Sequence, residues 1–190
     1  VNTPEEDGMI GAVKKTGDLL ESIPNSISLR QFENGDNPET HYLTTGPEIY
    51  LDMEGKIDYL VAGAGSGGTF TGVVKYLKNQ IKNMKSVLAD PEGSVLGGGR
   101  EDNYSIEGIG NDFIPGTMDM SLVDRVIKVN DEEAFDMVRK LARKEGLIVG
   151  SSSGAAMSAA LKLSRIIDGG NIVVIFPDRG DRYFSKNIYN

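Results

Sequence analysis

Short apolar runs alternate with amphipathic stretches along most of the 190-residue chain. The apolar runs predict buried strands, whereas the amphipathic stretches place their apolar residues at the three- and four-residue spacing of a helix face. The predicted strands are 26–32, 57–63, 85–90, 125–129, 147–150 and 171–178, and the predicted helices are 8–20, 37–53, 68–82, one that begins after Asn130, and 151–167. This alternation predicts a parallel sheet with helices on both faces, in which ligands bind beyond the carboxyl ends of the strands.

Two of the predicted helices carry start signals. Asn37 precedes Pro38, and proline suits the first helical position because it has no N–H group to pair. Asn130 is followed three residues later by Glu133, which is a variant of the capping box. Residues 91–125 lack periodicity and hold seven glycines, and a loop of this length in a compact domain is usually functional or mobile.

A glycine-rich turn follows the strand predicted at 57–63. Residues 63–68 read Gly-Ala-Gly-Ser-Gly-Gly and satisfy G-x-G-x-x-G, and Asp90 ends the next strand. Taken alone, this pattern favours a dinucleotide-binding fold and an NAD-dependent oxidoreductase. A Walker A loop is excluded because no lysine follows the last glycine.

The side chains of the turn favour a smaller anion. Ser66, Thr69 and Thr71 add hydroxyl groups to the unpaired backbone N–H groups at the start of a helix. Such a cup suits a terminal monophosphate better than a bridging pyrophosphate. The bland alternative is a tight strand–helix turn that binds nothing.

Composition and net charge argue against several other partners and kinds of site. The net charge of −8 makes a nucleic-acid partner improbable. The absence of cysteine excludes disulfides, thiolate metal sites and cysteine nucleophiles, and His41 is the one histidine. We therefore expect no metal site and a structural role for His41. No apolar run is long enough to span a membrane, so we expect a cytoplasmic protein that has no membrane partner.

Seven motifs follow one another along nearly all of the chain: GAGSGGTFTG, RQFENGDNPETHYLTTGPEI, DPEGSVL, YSIEGIGNDFIP, NDEEAF, EGLIVGSSSGAA and FPDRGDRYFSK. Together they resemble fold-type II pyridoxal-phosphate enzymes, and most closely the cystathionine β-synthase and cysteine synthase family. Three of them, DPEGSVL, the EGIG and DFIP segments of the fourth, and NDEEAF, favour cystathionine β-synthase. The fold that this resemblance implies is a three-layer, tryptophan synthase β-like sheet with helices on both faces, which is incomplete here.

The resemblance also implies positions for the site. The cofactor phosphate is expected on Gly65, Ser66, Gly67, Gly68 and Thr69, with the pyridine nitrogen against Ser152. A serine hydroxyl is a weak partner, so the pyridine need not be protonated. The alternative role for the serines at 151–153 is to cap the following helix. Gln31 matches a glutamine that helps to bind the substrate carboxylate, and Gly108 and Gly110 match a loop that closes over the second substrate.

One functional group of the family is missing from the sequence. None of the twelve lysines stands in the context of the lysine that forms the Schiff base with the cofactor, and no S/T-x-G-N-T loop is present. We therefore predict that residues 1–20 are the end of a small N-terminal domain and that 21–190 form most of a large cofactor-binding domain. On this interpretation the chain alone is inactive, and its partners are the missing N-terminal segment and, by family habit, a second copy in a homodimer.

The resulting hypothesis is a pyridoxal-phosphate-dependent β-replacement on serine or O-acetylserine, a lyase or transferase of cysteine biosynthesis and transsulfuration. Homocysteine as the thiol would give cystathionine, and sulfide would give cysteine. Asn111 stands where many cystathionine β-synthases have tyrosine, which weakens the prediction of thiol preference. Two other classes stay open, namely the NAD-dependent oxidoreductase and a binding or regulatory domain that has kept only the fold.

Overall fold

A computed structural model describes residues 2–4, 7–186 and 188–189. Four parallel strands form one sheet in the order β3-β2-β1-β4. The strands are β1 (Tyr59–Gly63), β2 (Lys85–Pro91), β3 (Arg125–Val129) and β4 (Ile172–Val174), and the helices are α1 (Gly8–Ser22), α2 (Asp36–Leu43), α3 (Thr45–Asp52), α4 (Gly68–Gln80), α5 (Asp131–Glu145) and α6 (Ser151–Ser164). The predicted fold class is therefore confirmed.

Helices cover both faces of the sheet. Leu60 and Ala62 of β1 pack in a cluster with the apolar side of α4, whereas Val61 packs in a second cluster with the alanines of α6. Because successive strand residues point to opposite faces, a central parallel strand must be apolar throughout, and Leu60 to Ala62 are all buried. All four strands end at the same edge of the sheet, where the site lies.

The strand predicted at 26–32 is wrong. Within the described residues this segment pairs with no strand, and Ile27 and Leu29 are 85% and 77% exposed. Arg30 has a left-handed φ of 46°, and its carbonyl accepts from the N–H groups of Glu33 and Asn34 in a turn. The segment does alternate apolar and polar residues, but among the described residues no strand lies beside it to complete a ladder.

The helix predicted at 37–53 is two helices. The chain breaks at Thr44, whose φ and ψ are −121° and −73°. Pro47 lies three residues later and cannot donate the hydrogen bond that would join the two helices. The break lets Gly46 approach Tyr76 of α4 so closely that an added Cβ would lie 2.7 Å from that side chain.

The strand predicted at 147–150 is also wrong. These backbone groups bond to the chain near the C-terminal end: Ile148 O accepts from Gly180 N at 2.9 Å and Val149 O from the Tyr189 hydroxyl at 2.5 Å. At the other end of α6, the helix stops at Ser164, before the predicted 167. The strand predicted at 171–178 is confirmed only over Ile172–Val174.

The capping box at α5 is confirmed. Asn130 accepts from the N–H of Glu133, and the Glu133 carboxylate accepts from the N–H of Asn130, both at 3.0 Å. We expect Asn130→Ala to lower the free energy of unfolding by about 1 kcal/mol, because the backbone N–H of Glu133 loses its acceptor at the start of the helix. Urea unfolding measures the loss. Glu132→Ala, an exposed change in the same helical turn, should be nearly neutral, and equal losses in the two variants would contradict the prediction.

Helix α1 contains no buried residue, and the predicted division at residue 20 stays a prediction. In the described part of the chain, none of the helices combines the length and the apolar character needed to cross a bilayer.

Candidate cofactor and substrate site

The glycine-rich turn joins the carboxyl end of β1 to the amino end of α4. Gly67 has a left-handed φ of 84°, and a Cβ there would lie 2.5 Å from the Met118 side chain. A Cβ on Gly65 would lie 2.5 Å from the carbonyl oxygen of Gly108, and one on Gly68 would lie 2.0 Å from Asn37 Oδ1. Each of these glycines is therefore required by a close neighbour, and the turn is tightly enclosed.

The turn presents unpaired backbone donors to a small cavity. Within the described residues, the N–H groups of Gly67 and Thr69 have no protein acceptor. The positive end of the α4 dipole lies at the same place, which favours an anion. A cavity of about 130 Å³ lies against the turn and is lined by Gly65, Ser66, Gly67 and Thr69.

Helix α2 holds the two hydroxyl groups of the turn. Asn37 Nδ2 donates to Ser66 Oγ at 3.0 Å and to the Gln31 carbonyl at 2.8 Å. His41 Nε2 lies 2.9 Å from Thr69 Oγ1, and His41 Nδ1 lies 2.9 Å from Thr45 Oγ1. The structural role expected for His41 is thus to orient the Thr69 hydroxyl of the glycine-rich turn. The prediction that the Thr71 hydroxyl also belongs to the turn is wrong. This hydroxyl accepts from Asp119 N at 3.0 Å.

Burial lowers the pKa of His41 below the ordinary 6.5. The folded state therefore keeps the imidazole neutral at a pH where the unfolded chain already binds a proton. We expect stability to be full above pH 7 and to fall as the pH drops through 6.5, levelling off below the folded pKa. Urea unfolding between pH 7.5 and 5 measures this slope. His41→Asn should remove it, and an unchanged slope in that variant would contradict the assignment.

The loop at 108–111 is bound to the glycine turn. Gly110 N donates to Ala64 O at 2.8 Å, and the Asn111 side chain donates to Gly65 O. Asn111 is 6% exposed. The Asn111 side chain thus holds the carbonyl of Gly65 in place. No local sequence pattern indicates this contact, because the two residues are 46 positions apart.

A larger cavity opens beside the turn. Its volume is about 470 Å³, and it is lined by Gln31, Gly65, Ser66, Gly108 and Gly110 among others. All three residues predicted to bind substrate therefore meet part of the predicted phosphate loop. Three carboxylates, those of Glu101, Asp102 and Asp112, also line this cavity.

Ser152 is 2% exposed and lies next to the same loop, with its Oγ 4.0 Å from the position of a Cβ on Gly108. It does not cap α6, because the residue at that position is Gly150, which makes no side-chain cap. The Ser152 hydroxyl instead donates to Asp178 Oδ2 at 2.7 Å. The capping alternative for the serines is thus wrong. Asp178 was not singled out from the sequence, since nothing local marks its partner 26 residues away.

Asp90 does not face a ligand. Its side chain is 1% exposed and accepts from Lys128 Nζ at 2.6 Å and from Gly97 N at 2.9 Å. A carboxylate enclosed in this way cannot reach the ribose of a dinucleotide, which is the contact that the oxidoreductase hypothesis required. The glycine turn therefore lacks the acidic residue that a dinucleotide-binding site would need for the ribose.

Comparison with known proteins identifies the family to which the chain belongs. The model of the family described as "Pyridoxal-phosphate dependent enzyme" matches residues 3–178. The chain belongs to this family, and the resemblance seen in its motifs is confirmed.

The similar proteins narrow the class. A cysteine synthase of Helicobacter pylori strain J99 is 50% identical over 100% of this chain and 63% of its own length, and an O-acetylserine dependent cystathionine beta-synthase of Bacillus subtilis is 48% identical over 100% and 62%. The crystal structure of O-acetylserine dependent cystathionine beta-synthase from Helicobacter pylori superposes with a TM-score of 0.95 at 48% identity, covering 100% of this chain and 62% of that one. A cysteine synthase structure from Entamoeba histolytica gives 0.91 at 34%, covering 100% and 57%. The chain thus spans less than two thirds of the length of these relatives.

Proposed function

We propose that the protein to which this chain belongs binds pyridoxal phosphate and replaces the β-substituent of O-acetylserine with a thiol. The observation that carries the proposal is the glycine turn. Its open N–H groups at Gly67 and Thr69, at the amino end of α4, suit a terminal phosphate. The glycines leave no room for side chains, so the backbone closes on a compact dianion. The proposed phosphate ligands are Gly65, Ser66, Gly67, Gly68 and Thr69, with Ser152 opposite the ring nitrogen.

When bound, pyridoxal phosphate supplies an electron-withdrawing ring that activates the α-carbon of an amino acid. The residues of this chain bind and orient. Asn37 and His41 hold the Ser66 and Thr69 hydroxyl groups in place, and Gln31 lines the cavity where the substrate carboxylate would lie. In the replacement the Cβ–O bond of O-acetylserine breaks, acetate leaves, and a C–S bond forms at the same carbon.

Homocysteine is the thiol that we propose. The cavity of about 470 Å³ has room for a second amino acid, and the carboxylates of Glu101, Asp102 and Asp112 line it. These carboxylates attract the ammonium group of homocysteine and repel a hydrosulfide anion. The relative from Bacillus subtilis carries the corresponding activity in its name.

Sulfide is the second candidate, and it is supported by the relative from Helicobacter pylori that is named cysteine synthase. The choice changes the product from cystathionine to cysteine. We also propose that catalysis needs a lysine from outside these 190 residues, since none of the twelve present lies in the expected context.

Product analysis tests the proposal. The full-length protein is loaded with pyridoxal phosphate and given O-acetylserine with either homocysteine or sulfide at equal concentration. We expect cystathionine to form with the larger kcat/KM. If cysteine were the dominant product, sulfide and not homocysteine would be the preferred thiol. If neither product formed although the cofactor was bound, β-replacement would be refuted. The 190 residues alone should bind the cofactor weakly and form neither product.

The acidic cavity gives a matched variant. Asp112→Asn should raise KM for homocysteine about tenfold, which is the loss of about 1.4 kcal/mol of attraction to the ammonium group, while leaving the reaction with sulfide unchanged or faster. Asp136→Asn is the control, because this carboxylate lies on the exposed side of α5, where Lys140 pairs with it. Equal changes with both thiols would contradict an electrostatic role for Asp112.

A further inference from the structure

Thr117 is a buried residue that joins two parts of the candidate site. It lies in the long loop at 91–125 and is 4% exposed. Its hydroxyl donates to Ser66 O in the glycine turn at 2.6 Å and lies 3.4 Å from Gln31 O. Its backbone N–H donates to Phe32 O at 3.1 Å. Thr117 therefore bridges the turn and the segment that carries Gln31.

The segment around Gln31 depends on this kind of bridge because it has no strand partner. Among the described residues, 26–32 forms no ladder, and Arg30 has a left-handed φ. Backbone polar groups that lack a ladder must be paired by turns and side chains. The Gln31 carbonyl accepts from Asn37 Nδ2 at 2.8 Å, and the Phe32 carbonyl accepts from Thr117 N. Asn37 and Thr117 thus hold the segment on two sides.

Both of these residues also reach the glycine turn. Asn37 Nδ2 donates to Ser66 Oγ at 3.0 Å, whereas the Thr117 hydroxyl donates to the Ser66 carbonyl. Gln31, Asn37, Ser66 and Thr117 therefore form a closed ring of contacts. Gln31 and Ser66 line the same cavity of about 470 Å³. The ring sets the distance between the turn and the Gln31 side of this cavity.

We propose that Thr117 is a positioning residue for the amino-acid substrate, because its hydroxyl holds Gln31 at the distance from the glycine turn at which the substrate carboxylate is bound. This inference rests on the proposed function, which places the cofactor phosphate at the turn and the carboxylate at Gln31. The cofactor fixes the amino group of the substrate, so Gln31 must stand at a matching distance to receive the carboxylate. A ligand that has no carboxylate gains nothing from Thr117.

Equilibrium binding of two small amines tests the inference. The full-length protein is loaded with pyridoxal phosphate, and the absorbance spectrum of the bound cofactor reports the added amine. L-Alanine carries a carboxylate and no β-substituent that could leave, and ethylamine is the same molecule without the carboxylate. We expect Thr117→Val to raise the dissociation constant of L-alanine about tenfold, since one hydrogen bond to a charged group is weakened. The dissociation constant of ethylamine should not change.

Two further variants show whether the hydroxyl is responsible. Thr117→Ser keeps the hydroxyl and should bind L-alanine as the unsubstituted protein does. Ser86→Ala is the matched control for stability, because Ser86 is fully buried near the amino end of β2, away from the site, and its hydroxyl donates to the Leu122 carbonyl. It should lose a comparable amount of thermal stability while binding both amines normally. Equal weakening of both amines in Thr117→Val would overturn the proposal.

A double-variant cycle ties the effect to Gln31. Gln31→Ala alone should weaken the binding of L-alanine. In that background Thr117→Val should weaken it by less than about twofold more, because the group that Thr117 positions is already gone. Losses that simply add would show that Thr117 acts on the fold and not through Gln31.

The outcomes separate this inference from the proposed function. If the full-length protein binds the cofactor and forms product, but Thr117→Val binds L-alanine normally, the role of Thr117 is overturned and the proposed function stands. If the full-length protein binds no cofactor, both are overturned. If Thr117→Val does not fold, Thr117→Ala removes the same hydroxyl with less bulk, and the same tenfold and unchanged results are expected of it.

Discussion

Gly72→Ala is expected to destabilise the protein by about 2 kcal/mol and to weaken cofactor binding by about tenfold or more. A methyl group inside a helix normally gains about 1 kcal/mol in propensity. At this position the new Cβ would lie 2.2 Å from the Pro38 carbonyl oxygen and 2.8 Å from Tyr42 N. Both are backbone atoms that cannot rotate away, and overpacking of this kind costs about 3 kcal/mol. The clash therefore exceeds the gain.

The loss of affinity follows from what α2 carries. Moving α2 away from α4 draws Asn37 from Ser66 and His41 from Thr69. A loss of about 1.4 kcal/mol in these contacts is a factor of ten in the dissociation constant. Fluorescence or absorbance titration of the full-length protein with pyridoxal phosphate measures it, and urea unfolding measures the stability.

Gly17→Ala is the control for the first prediction. Gly17 lies inside α1 and has no atom within 4 Å of an added Cβ, so the propensity gain should stand alone. This variant should be as stable as the unsubstituted protein or more so, with unchanged cofactor affinity. If Gly72→Ala behaved in the same way, the close contact between α2 and α4 would be refuted.

Lys128→Met is expected to lower the free energy of unfolding by about 3 kcal/mol. Lys128 Nζ lies 2.6 Å from Asp90 Oδ2 and also donates to the Ser94 carbonyl at 2.7 Å. The Asp90 side chain is 1% exposed, and its Oδ1 has no partner among the described residues. Removing the lysine leaves a buried carboxylate without a counter-charge, which costs about 3–5 kcal/mol. The lower end applies because Lys128 is itself 30% exposed.

Two comparisons isolate the buried charge as the cause. The double variant Asp90→Asn with Lys128→Met should recover part of the loss, because no charge is then left unpaired. Lys56→Met breaks the exposed pair with Glu54, whose side chains are 69% and 74% exposed, and should change stability by less than about 1 kcal/mol. Additive losses in the double variant would contradict the explanation.

The elements that the pattern predicted well are those whose signals are local. The strand at 125–129 agrees at both ends with β3, and the capping box at Asn130 forms as expected. Both depend on residues within a few positions of one another. The apolar segments 26–32 and 147–150 show the limit, because a run of apolar residues predicts a strand only when a neighbouring strand is there to pair with it.

In the candidate site, too, the local features were predicted correctly, whereas the roles of individual residues are still predictions. The glycine turn, its position at the end of β1 and the helix that follows were all predicted, and the family that they suggested is confirmed. The roles of Gln31, Gly108, Gly110 and Ser152 stay predictions, although the structure brings all four to one end of the sheet.

The sequence by itself determined most of the alternation of strands and helices, the position of the glycine-rich turn and the family, because each follows from motifs whose residues are neighbours in the chain. Only the tertiary structure decided which groups hold that turn and which way its hydrogen bonds run. The Asn111 side chain donates to Gly65 O across 46 residues, His41 contacts Thr69 across 28, and the Asp178 carboxylate accepts from the Ser152 hydroxyl across 26. A hydrogen bond has a direction that depends on what else the donor contacts, and those contacts exist only once the chain has folded.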